Sequence, residues 1–127
     1  GVEQRFKLVE LSRKLAESYS IRNADFINGN INTVDFKKFD SFYFFNPFYE
    51  NIDTRNRIDY DVPLNTKLYH QYSNYVAEQF ARLPFGARLV TYCSPFTIIP
   101  SCFKLQYSLS DGLLRFWKRL EENQVFE

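Results

Sequence analysis

The aromatic run from Phe42 to Phe45 constrains the fold of this chain more than any other sequence feature. Residues 41–45 read Ser-Phe-Tyr-Phe-Phe. Because successive side chains of a strand point to opposite faces, a strand here is apolar on both faces. Strands of this kind are typical of parallel sheets with helices on each side. Asn46 and Pro47 end the run, since proline has no N–H to donate to a sheet. The run therefore predicts a central strand that is covered on both sides.

Hydrophobic spacing around this strand predicts an α/β domain. Helical spacing over 4–19 and 64–83 predicts two amphipathic helices, with apolar stripes at Leu8, Leu11, Leu15 and Tyr19 and at Leu68, Tyr72, Val76, Phe80 and Leu83. Further strands are predicted at 25–28 and 87–93, and a terminal hairpin pairs 103–109 with 113–119 across Asp111-Gly112. The polar stretch 50–63 has no periodicity, so we expect a loop or lid.

Charge and composition narrow the classes of function. Sixteen Lys and Arg against 15 Asp and Glu leave a net charge of +1, which does not favour binding to nucleic acid or to an anionic membrane. Two cysteines and a single histidine, His70, provide neither a zinc spacing nor a disulfide framework. No apolar stretch approaches the length of a membrane span. We expect one cytoplasmic domain over residues 1–127, without a metal site and without a membrane anchor.

In an open α/β sheet, ligands bind beyond the carboxyl ends of the strands. Three features fall there: Gly1-Val2-Glu3 leading into the first helix, Gly29-Asn30 after the next strand, and Asn46-Pro47-Phe48-Tyr49 after the aromatic strand. With the terminal hairpin, this order resembles the class I S-adenosylmethionine-dependent methyltransferases over essentially the entire chain. The resemblance implies a three-layer Rossmann-like sheet, mostly parallel, with a C-terminal antiparallel hairpin.

The resemblance also implies a cofactor site for S-adenosylmethionine. Glu3 occupies the position of the family's acid that accepts hydrogen bonds from the ribose hydroxyls. Gly29 and Asn30 occupy the position near the adenine, and Asn46 borders the cofactor. From the residues alone, an alternative for Glu3 is an exposed glutamate at the positive end of the first helix. An alternative for Asn30 is a turn residue.

The segment Asn46 to Tyr49 is similar to the Asn-Pro-Pro-Tyr or Phe motif of members that methylate amino nitrogens. By that resemblance, the Asn46 side chain and the Pro47 carbonyl accept hydrogen bonds from the target nitrogen, and the Tyr49 ring packs on the substrate. Phe48 stands where the motif has proline, so the class of methyl acceptor stays open. A strand-ending turn followed by core aromatics is the alternative for this segment.

The family's glycine-rich turn between its first strand and first helix has no counterpart in this sequence. We therefore expect the C-terminal part of a methyltransferase domain, from the end of the second strand through the hairpin. Such a fragment lacks the first strand, is inactive alone, and exposes strand edges that favour self-association. Two rivals remain: a noncatalytic interaction domain on the same scaffold, and a nicotinamide-dinucleotide-binding oxidoreductase domain. The roles of Arg55, Arg57 and His70 stay open, with contact to an anionic substrate as one option for the two arginines.

Overall fold

The elements of the protein follow the order that its sequence predicts. The computed structural model describes residues 1–120, and within this range it contains two α-helices and six strands. Their bounds are β1 Val2–Glu3, α1 Phe6–Ser18, β2 Ile27–Asn28, β3 Ser41–Phe44, α2 Thr66–Ala81, β4 Arg88–Tyr92, β5 Phe103–Leu109 and β6 Leu114–Arg119. The α/β class is confirmed. Over the same range, neither helix combines the length and the apolar character needed to cross a membrane.

The six strands form two separate sheets. β1 and β2 pair in parallel, whereas the larger sheet has the order β3-β4-β6-β5. In that sheet β3 is parallel to β4, and β6 is antiparallel to both of its neighbours. The terminal hairpin is confirmed, and Asp111 and Gly112 turn it with positive φ angles. The single sheet that we expected is divided, because no strand among residues 1–120 lies between β1 and β3. It is also not mostly parallel, since two of the four strand pairings in this range are parallel and two are antiparallel.

Helix α2 covers one face of the larger sheet. Its predicted stripe is confirmed, since Tyr72, Val76 and Phe80 are buried and Leu83 is buried just beyond its end. The Phe80 ring meets Phe42 and Phe44 of β3 at centroid distances of 5.6 and 6.2 Å. Buried side chains of β4, β5 and β6 complete this core, which comprises Phe36, Phe44, Phe48, Tyr72, Val76, Phe80, Leu83, Ala87, Leu89, Ile98, Phe103 and Trp117.

The opposite face of β3 is open. Tyr43 and Phe45 point away from α2, and they are 65% and 55% exposed. The expectation that this strand is covered on both sides is therefore wrong for residues 1–120. The physical reason is that α1, the other helix, packs on β1 and β2 instead of on β3.

Helix α1 buries a different face from the one its leucine spacing predicts. Val9 is the buried apolar residue of the helix, while Leu11 and Leu15 are half-exposed. Arg5, which directly precedes the helix, is also buried and lies one helical turn before Val9. The buried face of α1 thus carries Val9 and continues the line of the buried Arg5, and the predicted leucine stripe is wrong.

Candidate functional site

A cleft of about 630 Å³ separates β1 from β3. Of the seven predicted site residues, it is lined by Glu3, Gly29, Asn30, Pro47 and Phe48. Asn46 and Tyr49 do not line it but flank Pro47 and Phe48 in the chain. The structure therefore brings the two predicted parts of the site, the β1–β2 ends and the segment after β3, to one cleft.

An ion pair shows that these parts meet at the same end of the cleft. Arg5 follows β1, and Glu50 follows β3; Arg5 Nη2 lies 3.0 Å from Glu50 Oε2. The residues that follow the two strands therefore meet at one end of the cleft. Because the predicted site residues follow the strands, they gather at this carboxyl end, where ligands of open α/β sheets bind.

Arg5 also fastens the polar loop 50–63 to the start of α1. The Arg5 side chain is only 5% exposed, and its Nε donates to Asp59 Oδ1 at 3.0 Å. The N–H of Asp61 and the Arg5 guanidinium together hold the pKa of the Asp59 carboxyl below its usual value. Glu50 accepts a further hydrogen bond from the Ile58 N–H at 3.2 Å. The loop is therefore held against the cleft by a network of charged hydrogen bonds.

Sequence reasoning missed this network. Charged residues are seldom buried unless paired, so the sequence pattern favours a solvent-exposed Arg5, and its partners lie 45 and 54 residues away. One local signal was available, since Arg5 and Val9 have the i, i+4 spacing of a common helix face. That spacing does not identify Glu50 or Asp59 as the partners.

Glu3 engages the start of α1 with one of its two carboxylate oxygens. Its Oε1 accepts a hydrogen bond from the Arg5 N–H at 2.7 Å, next to the first turn of α1. Through this contact, one carboxylate oxygen of Glu3 fills the alternative role, that of a glutamate at the positive end of the first helix. Within residues 1–120, no hydrogen bond engages Oε2 of Glu3, and the residue lines the cleft. One acceptor oxygen of Glu3 thus remains for a ligand.

The Asn30 side chain is engaged within the protein. Its Nδ2 donates to the Tyr72 hydroxyl at 2.8 Å, and its Oδ1 accepts from the Asn32 N–H at 3.1 Å, capping a short 3₁₀ turn. Gly29 pairs with β1 through its N–H, which donates to the Glu3 carbonyl at 3.1 Å. Asn30 is therefore a turn residue, as the alternative predicts. Its contact with adenine stays a prediction.

The segment after β3 begins with a strained residue held in place by a serine. Asn46 has a φ of +34°, a region that few residues other than glycine adopt. Its N–H donates to Ser94 Oγ at 2.9 Å, and this buried hydroxyl lies 3.1 Å from the carbonyls of both Phe44 and Tyr92. Ser94 thereby ties the ends of β3 and β4 together and fixes where Asn46 lies.

The rest of the segment is divided between core and surface. Phe48, the residue that departs from the family motif, is buried against the Phe44 and Tyr72 rings at centroid distances of 5.6 and 5.4 Å. Pro47 is exposed and Tyr49 is half-exposed, with its hydroxyl 3.3 Å from Asp53. The core-aromatic alternative thus describes Phe48, whereas Pro47 and Tyr49 remain accessible.

The three residues whose roles were open lie away from the cleft lining. Arg55 is 84% exposed and pairs with Asp53 at 2.7 Å. Arg57 donates to the Asp59 and Val62 carbonyls, which stabilises the loop, and His70 is exposed on α2. Across the described part of the chain, no three His, Cys, Asp or Glu residues form a group suited to a metal ion.

Comparisons with known proteins identify the fold. No family model matches the chain, and no curated protein matches it. Among solved structures it is similar to the "putative methyltransferase yhhF" of Escherichia coli, with a TM-score of 0.54 and 15% identity over 95% of this chain. It is also similar to the "putative methylase HI0767" of Haemophilus influenzae, with a TM-score of 0.52 and 18% identity over 94% of this chain. The chain covers 62% and 65% of those two proteins, less than two thirds of each. It therefore has a methyltransferase fold.

Proposed function

We propose that this chain forms the acceptor side and part of the cofactor site of an S-adenosylmethionine-dependent methyltransferase. The observation that carries the proposal is the meeting of Glu3 with the segment after β3 at one end of the cleft. The methyltransferase fold supports it, because such a fold places ligands at that end. When bound, S-adenosylmethionine supplies an electrophilic methyl group for transfer.

In this proposal Glu3 binds the ribose of the cofactor. Its Oε2 accepts a hydrogen bond from a ribose hydroxyl, while Oε1 stays on the Arg5 N–H and so fixes the orientation of the carboxylate. Gly29 and Asn30 form the wall near the adenine. The glycine-rich turn of the family has no counterpart in the chain, so the residues present fit only one side of the cofactor.

The segment after β3 orients the methyl acceptor. No hydrogen bond engages the Asn46 side chain within residues 1–120, so its carboxamide oxygen is available to accept from a donor on the substrate. The Pro47 carbonyl provides a second acceptor, and the half-exposed Tyr49 ring packs on the substrate. These residues act by positioning. A neutral amine needs no general base before the transfer, because it loses its proton afterwards.

Isothermal titration with S-adenosylmethionine and S-adenosylhomocysteine tests the cofactor role. We expect heat of binding from a protein that carries a glycine-rich strand-turn-helix ahead of this chain, and weak or no binding from the 127-residue chain. Glu3→Gln in the longer protein should weaken binding, because an amide offers one acceptor oxygen where a carboxylate offers two. The absence of heat from the longer protein with both ligands would contradict the proposal.

A noncatalytic interaction domain is the second candidate, and two observations favour it. Phe48 is buried in the core, and both polar groups of the Asn30 side chain are engaged inside the protein. Asn46→Ala separates the candidates, with the exposed Asn56→Ala as its matched control. If the protein is an enzyme, Asn46→Ala should lower turnover and Asn56→Ala should not. If it is a noncatalytic scaffold, neither variant should change the binding of its partner.

A further inference from the structure

We propose that the face of β4, β6 and β5 turned away from α2 binds single-stranded nucleic acid, through a row of three basic side chains and an adjacent pair of aromatic rings. This inference does not depend on the proposed methyl transfer. The basic side chains lie at the amino ends of β4 and β5, whereas the proposed acceptor site follows the carboxyl end of β3, which runs parallel to β4. None of these side chains lines the cleft between β1 and β3.

Charge is distributed unevenly over the chain. The four strands of the larger sheet contain no acidic residue and five basic residues, which are Arg88, Lys104, Arg115, Lys118 and Arg119. The net charge of +1 therefore conceals a basic sheet. The expectation that nucleic acid is not favoured rests on the charge of the whole chain, but the attraction of a polyanion depends on the charge of a local surface.

Three of the five form a row across neighbouring strands, which we call the basic row. Arg88 of β4 pairs with Lys118 of β6, and Lys118 pairs with Lys104 of β5. Opposite residues share a face of the sheet and have Cβ atoms about 5 Å apart, so the row spans about 10 Å. Leu89 and Trp117, the neighbours of Arg88 and Lys118 in the chain, are buried in the core that α2 covers. Because side chains alternate along a strand, the basic row lies on the opposite face.

The basic row is unfavourable without a ligand. Like charges directly opposite one another destabilise a sheet. Arg88 and Lys118 are exposed and Lys104 is half-buried. Within residues 1–120, no Asp or Glu forms an ion pair with any of the three. A ligand that carries several negative charges in line would replace this repulsion by attraction.

A groove beside the basic row provides room for such a ligand. Its volume is about 480 Å³, and its lining includes Arg88, Lys118, Phe85 and Asp40. Asp40 is the acid of this lining, and its carbonyl accepts the Arg88 N–H at 3.2 Å, but its carboxylate pairs with neither cation. Two cations against one acid leave the groove positively charged.

A pair of stacked aromatic rings lies next to the basic row. Tyr107 and Phe116 have ring centroids 4.3 Å apart and planes inclined by 14°. Phe116 is two residues from Lys118 on the same face of β6, about 7 Å along the strand. Tyr107 is 56% exposed, so a flat base can continue the stack. Basic side chains that hold phosphates, together with aromatic rings on which bases stack, are the combination that binds single strands.

A protein surface fits this face less well than a nucleic acid strand does. A second copy that packed the same face against it would set the basic row against strands that contain no acidic residue. An apolar helix would also leave the three charges without partners, and the burial of an unpaired charge is costly. The occupant must therefore bring negative charge for the row and flat groups for the rings.

The probe is a fluorescein-labelled thymidine strand of about eight nucleotides, titrated with the 127-residue chain and followed by fluorescence anisotropy. We expect a dissociation constant of about 10 μM at about 50 mM salt. The logarithm of the binding constant should fall with the logarithm of the salt concentration with a slope of about −2, because each of three phosphate contacts contributes about −0.7. A uridine strand should bind within threefold, since it offers the same phosphates and base faces.

A strand without bases separates stacking from simple attraction of a polyanion. The matched abasic strand keeps every deoxyribose phosphate but has no ring to stack on Tyr107. It should bind at least fivefold more weakly. Tyr107→Ala should lower the affinity for the thymidine strand at least fivefold, whereas its effect on the abasic strand should be less than twofold.

Two further variants test the basic row. Lys118→Gln should weaken binding about tenfold and make the salt slope shallower by about 0.7. Lys67→Gln, on the exposed side of α2, removes the same charge from another surface and should change the affinity less than twofold. Because Lys118→Gln also relieves the repulsion within the row, its free energy of unfolding should equal or exceed that of the wild type. Its loss of binding would then not reflect a loss of folding.

Several results would overturn the inference. One is equal binding of the thymidine and abasic strands to the wild-type chain, a comparison that does not depend on the folding of any variant. The absence of binding at about 50 mM salt, or equal losses of affinity for Lys118→Gln and Lys67→Gln, would do the same. A dimer in sedimentation equilibrium that excludes the strand would also overturn it, because the occupant of the face would then be a second copy.

Discussion

Arg5 is the residue on which the closure of the loop 50–63 depends. Breaking one side of a fully buried ion pair costs about 3–5 kcal/mol, but the Glu50 and Asp59 side chains keep 26% and 28% exposure. We therefore expect Arg5→Ala to lower the free energy of unfolding by about 2 kcal/mol, as measured by urea denaturation. Arg55→Ala removes an arginine that is 84% exposed and should cause no measurable change. Equal effects of the two substitutions would show that the Arg5 contacts do not stabilise the fold.

The same contacts predict how stability depends on pH. The N–H of Asp61 and the Arg5 guanidinium hold the pKa of Asp59 below its usual value. A carboxylate with a depressed folded pKa contributes its stability fully above the unfolded pKa, about 4, and loses it as the pH falls through the folded pKa. Asp59→Asn should therefore reduce the loss of stability below pH 4, as measured by thermal melts across that range. Asp111→Asn, in the exposed β5–β6 turn, serves as the control and should retain the wild-type profile.

At the scale of elements, α1 provides a test between sequence pattern and structure. Val9 is buried, whereas Leu15 is half-exposed although it belongs to the predicted stripe. Val9→Ala should lower the free energy of unfolding by about 2 kcal/mol, because it removes buried methyl groups and leaves a cavity. Leu15→Ala should change it by about 0.5 kcal/mol or less. Chemical denaturation of both variants measures the difference, and a larger loss for Leu15→Ala would contradict the observed orientation of α1.

The elements that the sequence predicts well are those that local patterns specify. The α2 stripe and the Asp111-Gly112 hairpin depend on residues near one another in the chain, and both are confirmed. The burial of Arg5 beside α1 involves acids 45 and 54 residues away, and no local pattern contains that information. The open face of β3 was mispredicted for a related reason. Aromatic residues on both faces show that a strand can be covered, but not which element covers it.

The candidate site shows the same division between local and distant information. The order of turns in the sequence predicted that Glu3 and Pro47 lie together, because ligand-binding residues of open α/β folds gather beyond the carboxyl ends of the strands. The internal hydrogen bond from Asn30 to Tyr72 crosses 42 residues. Asparagine at this position suits a turn and a ligand contact equally well. Residue type alone could not decide between these roles.

For the whole molecule, the division into two sheets predicts two levels of stability. None of the clustered core residues lies in the first 30 positions, and a two-stranded sheet is marginally stable by itself. The segment containing β1, α1 and β2 should therefore open at a lower free energy than β4, β6 and α2, which share the main core. Native-state hydrogen exchange in low urea measures both levels. The amide of Val9 should exchange through a local opening and those of Leu89 and Val76 through global unfolding.

Arg5→Ala sharpens this prediction because the Arg5 pairs join the first segment to the loop that follows β3. The variant should lower the opening free energies of the Val9 and Leu89 amides by the same amount, about 2 kcal/mol, because the Arg5 contacts are lost in both the local and the global opening. If the Val9 and Leu89 amides open at one common free energy in both proteins, the molecule unfolds as a single unit. In that case the cleft between β1 and β3 would not be a boundary between independently opening parts.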